Sequence, residues 1–123
     1  MSTNLVKIGV FGAGHLGKIH LKLLNESKIF DLIGFYDVNT EHSLKIENNF
    51  GYKYFNDSNL LIESVDAIAI ITPTKFHYET AIKCIEKNKH IFIEKPIAYS
   101  VQQAEKIIKL SKEKKIIGQV GHV

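Results

Sequence analysis

The 123-residue sequence contains no arginine, no tryptophan and only one cysteine, Cys84. A single cysteine excludes an intrachain disulfide and any metal site built from several thiolates. Cys84 lies close to two isoleucines in a segment with helical spacing, which is typical of a small core residue rather than a nucleophile. Five histidines show no metal-ligand spacing, so we expect no metal site: His15, His20, His42, His90 and His122.

All 16 basic residues are lysines, and the formal net charge is +3. Arginine reads guanine and clamps phosphates, so its absence argues against a nucleic-acid-binding module. No run approaches the ~18 apolar residues of a membrane span, and the start of the chain lacks a secretory signal pattern. We therefore expect a cytoplasmic protein with no membrane partner. Abundant lysine, isoleucine and asparagine is typical of a bacterial protein.

A glycine-rich turn follows the first predicted strand. The apolar run Val6–Phe11 leads into the pattern Gly12-x-Gly14-x-x-Gly17. The next segment, His15–Glu26, has a helical apolar pattern, which predicts a helix face formed by Leu16, Ile19, Leu23 and Leu24.

Each glycine has a physical role if the turn binds a dinucleotide. Gly12 permits a tight turn, Gly14 lets the backbone approach a pyrophosphate, and Gly17 lets the helix pack closely on its strand. The helix start at His15 and Leu16 presents unpaired N–H groups to the phosphates. Three glycines alone are equally compatible with a flexible turn.

An aspartate in the expected position favours the dinucleotide interpretation. Asp37 stands twenty residues after Gly17, at the end of the predicted strand Leu32–Tyr36, where it would accept hydrogen bonds from the adenosine ribose. We therefore expect the cofactor to contact Asp37 and the run Gly12, Ala13, Gly14, His15, Leu16 and Gly17.

Strand and helix patterns alternate along the rest of the chain. The further predicted strands are Tyr52–Phe55, Asp66–Ile71, Ile91–Ile93 and Ile116–Val120. The further helices begin near Thr40, Ser58, His77 and Ser100. This alternation predicts an α/β fold, a Rossmann-type doubly wound parallel sheet of six strands in the order 3-2-1-4-5-6, with helices on both faces. The ligand would lie at the switch point between strands 1 and 4.

Two polar segments follow predicted strands at the edge where this fold binds ligands. They are Thr72-Pro73-Thr74-Lys75-Phe76-His77 and Glu94-Lys95-Pro96. Together with the glycine turn and the ending Val120-Gly121-His122-Val123, these motifs resemble the glucose–fructose oxidoreductase / inositol dehydrogenase / MocA family over the whole chain. The combination at this spacing is specific, although each motif alone is weak.

The resemblance implies roles for individual residues. Thr72, Pro73 and Thr74 would line the cofactor cleft, and His77 would lie near the nicotinamide half. Glu94 would contact the nicotinamide ribose, and Lys95 would orient the substrate hydroxyl and help to move its proton. The family adds an aspartate and a histidine from a second domain, which we expect after residue 123. The chain as given, a dinucleotide-binding domain over 1–123, is then catalytically incomplete.

The residues themselves leave structural alternatives open. Pro96 favours an extended Lys95, whose side chain would leave the strand end beside a cationic nicotinamide ring. Lys95 could equally be an ordinary surface lysine, and Glu94 a structural ion-pair partner. His77 could simply cap its helix or donate to a loop carbonyl.

We therefore expect the NAD-binding domain of an oxidoreductase. The full-length protein would transfer hydride between nicotinamide and a secondary alcohol or ketone carbon of a sugar, inositol or similar polyol. It would take a small-molecule substrate and no nucleic acid, and it could form a homo-oligomer. A non-enzymatic NAD-responsive regulator on the same fold is the alternative, because fold alone does not fix function. Such a regulator would need the glycine turn and Asp37 but not Lys95.

Overall fold

Five parallel strands form one sheet in the computed structural model, which describes residues 5–121. Met1–Asn4 lie outside the described residues, and so does part of the segment for which we predicted no secretory signal. His122 and Val123 also lie outside them. The strand order is β2-β1-β3-β4-β5. The strands are β1 (Val6–Phe11), β2 (Phe30–Tyr36), β3 (Ala67–Ile70), β4 (His90–Glu94) and β5 (Gly118–Gly121).

Helices connect the strands and cover both faces of the sheet. Local signals in the sequence set their ends: the Asn39 side chain accepts from the His42 N–H at 2.9 Å to start α2, and Gly51 ends that helix at φ +80°. The helices are α1 (His15–Asn25), α2 (Thr40–Phe50), α3 (Ser58–Glu63), α4 (His77–Glu86) and α5 (Val101–Lys114), and a 3₁₀ turn (Thr74–Phe76) precedes α4.

Alternate residues of the central strands enter two separate cores. In β3, Ile68 and Ile70 pack with the cluster that includes α3, α4 and α5, whereas Ala69 packs with the cluster that includes α1 and α2. A strand buried on both faces is continuously apolar, as β3 is. The predicted Rossmann-type doubly wound fold is confirmed.

The predicted strand Tyr52–Phe55 is not a full member of the sheet, so residues 5–121 form five strands rather than the six predicted. Its place beside β2 is as predicted, but only one isolated bridge forms, between Tyr54 and Phe35. The Tyr54 N–H donates instead to the Glu47 carboxylate of α2 at 2.9 Å. The extended segment forms two backbone hydrogen bonds with Phe35, one through the Lys53 carbonyl and one through the Phe55 N–H. It ends where Asp57 caps α3.

The buried face of α1 also differs from the prediction. Leu24 packs partly buried against the core, as predicted. Leu16, Ile19 and Leu23, however, are 36%, 38% and 46% exposed, whereas Gly17, His20 and Leu21 are buried. The helix is therefore turned so that a glycine and a histidine face the sheet. The reason is the contact of Gly17 with the preceding turn, which is described below.

Cys84 is fully buried in α4, as the sequence predicted, and burial raises the pKa of its thiol to about 12. At pH 8 roughly one folded molecule in ten thousand would carry the reactive thiolate. We expect iodoacetamide to leave the folded protein unmodified at pH 8 over an hour and to alkylate it rapidly in denaturant. Intact-mass measurement follows the reaction, and rapid labelling of the folded protein would contradict this placement.

Candidate functional site

A cleft of about 550 Å³ opens at the carboxyl ends of β1 and β3. It lies at the point where the chain leaves β1 for one side of the sheet and later returns on the other, the place at which doubly wound sheets bind ligands. Its walls are the glycine turn, the end of β2, the loop after β3 and one side of α4.

The glycine turn begins at Gly12, a position that tolerates only glycine. Gly12 has φ +102°, and a Cβ there would lie 2.7 Å from the Ile71 carbonyl oxygen. The Gly12 N–H donates to the Tyr36 carbonyl at 2.8 Å, which fixes the turn against the end of β2.

The other two glycines differ in what surrounds them. A Cβ on Gly17 would collide with the Gly12 carbonyl, so α1 approaches the turn too closely for any side chain at that position. A Cβ on Gly14 would meet nothing within 4 Å. Gly14 precedes the first turn of α1, which carries no acidic residue and no side-chain cap. The positive end of the helix thus faces open space in the cleft.

Asp37 and His42 hold the middle of this turn. The Asp37 carboxylate accepts from the Ala13 N–H at 2.7 Å and, through its other oxygen, from the Asn39 N–H at 2.9 Å. The His42 ring donates from Nε2 to the Ala13 carbonyl at 2.7 Å. Each Asp37 oxygen has a further lone pair, so the carboxylate can also accept from ribose hydroxyls.

The loop after β3 contributes one unsatisfied polar atom. Thr72 Oγ1 is buried and has no hydrogen-bond partner within the described residues, although Thr72 lines the cleft. Buried hydroxyls almost always have a partner, so this atom is available to hydrogen-bond with a ligand in the cleft.

His77 is a buried connector rather than a wall of the cleft. It is 1% exposed, and its ring nitrogens lie 2.8 Å from the Thr72 carbonyl oxygen and 2.9 Å from that of Pro96. This is the structural alternative considered for His77. It ties the loop after β3 to the loop after β4.

Glu94 and Lys95 lie at the end of β4, beyond the cleft wall. Glu94 is 9% exposed, and its Oε2 lies 3.3 Å from His20 Nε2. Lys95 is exposed, its N–H donates to the Gly121 carbonyl at 3.2 Å, and its peptide bond to Pro96 is cis.

The structure brings eight of the predicted cofactor-binding residues into the cleft wall: Gly12, Gly14, His15, Leu16, Gly17, Asp37, Thr72 and Pro73. Five others lie behind or beside it: Ala13, Thr74, His77, Glu94 and Lys95. Sequence reasoning missed Lys83, which lines the cleft from α4 and donates to Ser58 at 3.3 Å. It also assigned no role to His20 and His42. His20 is buried on α1 and His42 is half-buried on α2, and neither position has a sequence pattern that signals a binding role.

Within residues 5–121, no cluster of three histidine, cysteine or acidic side chains could hold a metal ion. The same range contains no helix that is long and apolar enough to cross a membrane.

Residues 6–122 match the family model of the Gfo/Idh/MocA proteins, described as an oxidoreductase family with an NAD-binding Rossmann fold. The chain belongs to this family. This match confirms the family resemblance that the sequence motifs indicated, and it confirms the prediction that the cofactor is NAD. The site fits that cofactor, because Gly14 leaves room for a pyrophosphate and Thr72 Oγ1 needs a partner.

Similar proteins include two curated dehydrogenases. UDP-N-acetylglucosamine 3-dehydrogenase of Acidithiobacillus ferrooxidans is 30% identical over 96% of this chain and 37% of its own length. Myo-inositol 2-dehydrogenase of Thermotoga maritima is 30% identical over 91% of this chain and 34% of its own. A crystal structure of the Acidithiobacillus enzyme superimposes with a TM-score of 0.86 over 95% of this chain and 38% of that one. The chain spans about a third of the length of these relatives.

The open space at Gly14 and the collision at Gly17 predict opposite outcomes for two substitutions. Gly14→Val should leave thermal melting near that of the unsubstituted protein and abolish NAD binding, because its side chain occupies the phosphate approach. Gly17→Ala should cost about 2 kcal/mol or more of folding stability, because backbone atoms must move apart.

Thermal melting and calorimetric titration with NAD together check both variants. Undiminished NAD binding by Gly14→Val would show that the turn does not contact the cofactor. Unchanged melting of Gly17→Ala would contradict the close approach of α1.

Proposed function

We propose that the full-length protein is an NAD-dependent dehydrogenase that acts on a secondary alcohol or ketone carbon of a sugar, inositol or similar polyol. The observation that carries the proposal is the cleft itself, with open space at Gly14, a free helix end and the unsatisfied Thr72 hydroxyl. The relatives named above are dehydrogenases of a sugar nucleotide and of an inositol. Neither favours the alternative of a non-enzymatic regulator.

In the proposed site, the glycine turn and the first N–H groups of α1 bind the pyrophosphate. Asp37 accepts from the adenosine ribose, and Thr72 Oγ1 gains the partner that it lacks within the described residues. When bound, NAD supplies the carbon that accepts hydride. The turn is held before the ligand arrives, by Asp37 and His42 on either side of Ala13, so little ordering entropy is lost on binding.

Lys95 is the proposed catalytic residue of this chain. Lys95 is exposed and directly follows β4, the strand next to β3. It therefore lies on the side of the cleft away from Asp37. There the unprotonated Lys95 Nζ would accept the proton of the substrate hydroxyl, while hydride passes to the nicotinamide from the carbon that bears this hydroxyl. The relatives carry about two thirds of their length outside the matched region, and we propose that most groups that hold the substrate lie there.

NAD should bind at least about tenfold more tightly than NADP. Asp37 lines the cleft, and in the proposed site its carboxylate would face the 2′-phosphate of NADP. Two adjacent anions repel each other strongly in a partly buried site. Calorimetric titration with both cofactors measures the ratio of the two dissociation constants, and Asp37→Asn should reduce this ratio. Equal or tighter binding of NADP would refute this role for Asp37. Titration of Lys83→Met would then show whether Lys83 supplies a compensating charge.

Lys95→Met should lower turnover by at least about 100-fold while NAD affinity is retained, because proton transfer to a positioned group contributes that much. The assay follows NADH formation by the full-length protein with a panel of polyols, sugars and sugar nucleotides. Lys106→Met, an exposed lysine on α5, is the matched control and should keep full activity. Full turnover by Lys95→Met would refute the catalytic role, and no turnover by the unsubstituted protein with any compound of the panel would count against the proposed substrate class.

A further inference from the structure

The inner face of α1 carries one polar side chain, His20, at a position where an apolar residue would be expected. His20 is 7% exposed and its Nε2 lies 3.3 Å from Oε2 of Glu94, a residue 74 positions later in the chain. The Phe92 ring packs against the imidazole with centroids 5.6 Å apart. By contrast, the ion pair between Lys45 and Glu41 is exposed, and its charged atoms are 4.0 Å apart. The contact of His20 with Glu94 is thus a buried one that the folding of α1 onto β4 creates.

Burial lowers the pKa of His20, while the hydrogen bond and the negative charge of Glu94 act in the opposite direction. The ring is therefore neutral at neutral pH and has one N–H to donate. Its neighbour at Nε2 is a carboxylate oxygen, so that nitrogen carries the proton. A neutral donor holds the Glu94 carboxylate in place without cancelling its charge. One oxygen of Glu94 is engaged in this way, and Oε1 remains for another partner.

The contact joins the two parts of the molecule that a dinucleotide would span. His20 follows Gly17 by three residues on the helix whose first turn faces the pyrophosphate position. Glu94 is the last residue of β4 and directly precedes Lys95. A rotation of α1 that moved His20 would break its contact with Glu94, which lies beside the cleft on the side away from Asp37.

We propose that His20 is a positioning residue that orients the Glu94 carboxylate toward the nicotinamide ribose of the bound cofactor. The inference rests on the proposed function and on the role that the family resemblance implies for Glu94, which is to contact that ribose. His20 does not touch the cofactor and acts only through Glu94.

The test compares two substitutions of similar polarity in the full-length protein. The side-chain amide of His20→Gln reaches the place of Nε2 and can donate to Glu94, whereas the shorter amide of His20→Asn cannot. His90→Gln, at the other end of β4, is the matched control. Affinities are measured calorimetrically for NADH and for ADP, which contains the adenosine and pyrophosphate but lacks the nicotinamide ribose.

We expect His20→Asn to bind NADH about tenfold more weakly, the effect of a lost hydrogen bond to a charged group, and to bind ADP within about twofold of the unsubstituted protein. His20→Gln should restore most of the NADH affinity, and His90→Gln should change neither value. In a Glu94→Ala background, His20→Asn should have no further effect on NADH.

Three results would overturn the inference. They are equal NADH affinity in His20→Asn and the unsubstituted protein, a parallel loss for NADH and ADP, and an undiminished effect of His20→Asn in the Glu94→Ala background. If His20→Asn lowers the melting temperature, the titrations are made well below it, so that folding does not mask the comparison. Failure of the unsubstituted protein to bind NADH would refute the cofactor site itself, and this inference with it.

Discussion

The contact between the Gly12 carbonyl and the backbone of Gly17 is the constraint on which the rest of the site depends. No Cβ fits between these residues, so α1 starts directly against the turn that ends β1. This contact fixes both the position of the helix start and the rotation of the helix about its axis. The unpaired N–H groups of the first turn then face the cleft, and His20 faces the sheet next to Glu94. A shift of α1 would disturb both ends of the cofactor site together.

That constraint also explains which parts of the site the sequence could predict. The glycine turn, Asp37 and the loop after β3 were predictable because each backbone requirement permits few residue types. The inner face of α1 was not, because counting apolar residues favours Leu16, Ile19 and Leu23, whose side chains are partly exposed. Gly17 must face the turn, so the residues on its side of the helix, including His20 and Leu21, are buried instead. Close packing of backbone atoms outweighed apolar surface.

At the edge of the sheet, residue type alone predicted a strand that the surrounding structure does not complete. The aromatic segment Tyr52–Phe55 has strand-like residues and lies beside β2 as predicted, but strand formation depends on neighbours as well as on residue type. Here the Glu47 carboxylate accepts a hydrogen bond from the Tyr54 N–H, and α3 is capped three residues later by Asp57. Lys83 escaped prediction for a related reason. It reaches the cleft only because α4 packs beside β3, a tertiary contact with no local pattern in the sequence.

Three histidines hold the cleft together, and none of them has a spacing that signals a ligand site. His42 fixes the Ala13 carbonyl at 2.7 Å, His77 joins the loops after β3 and β4, and His20 holds Glu94. Each is buried or half-buried and contacts a group far from it in the sequence. Imidazole suits this role, because it is rigid and bonds through nitrogens at fixed positions, so little side-chain entropy is lost. A neutral imidazole also holds the Glu94 carboxylate without adding a charge beside it.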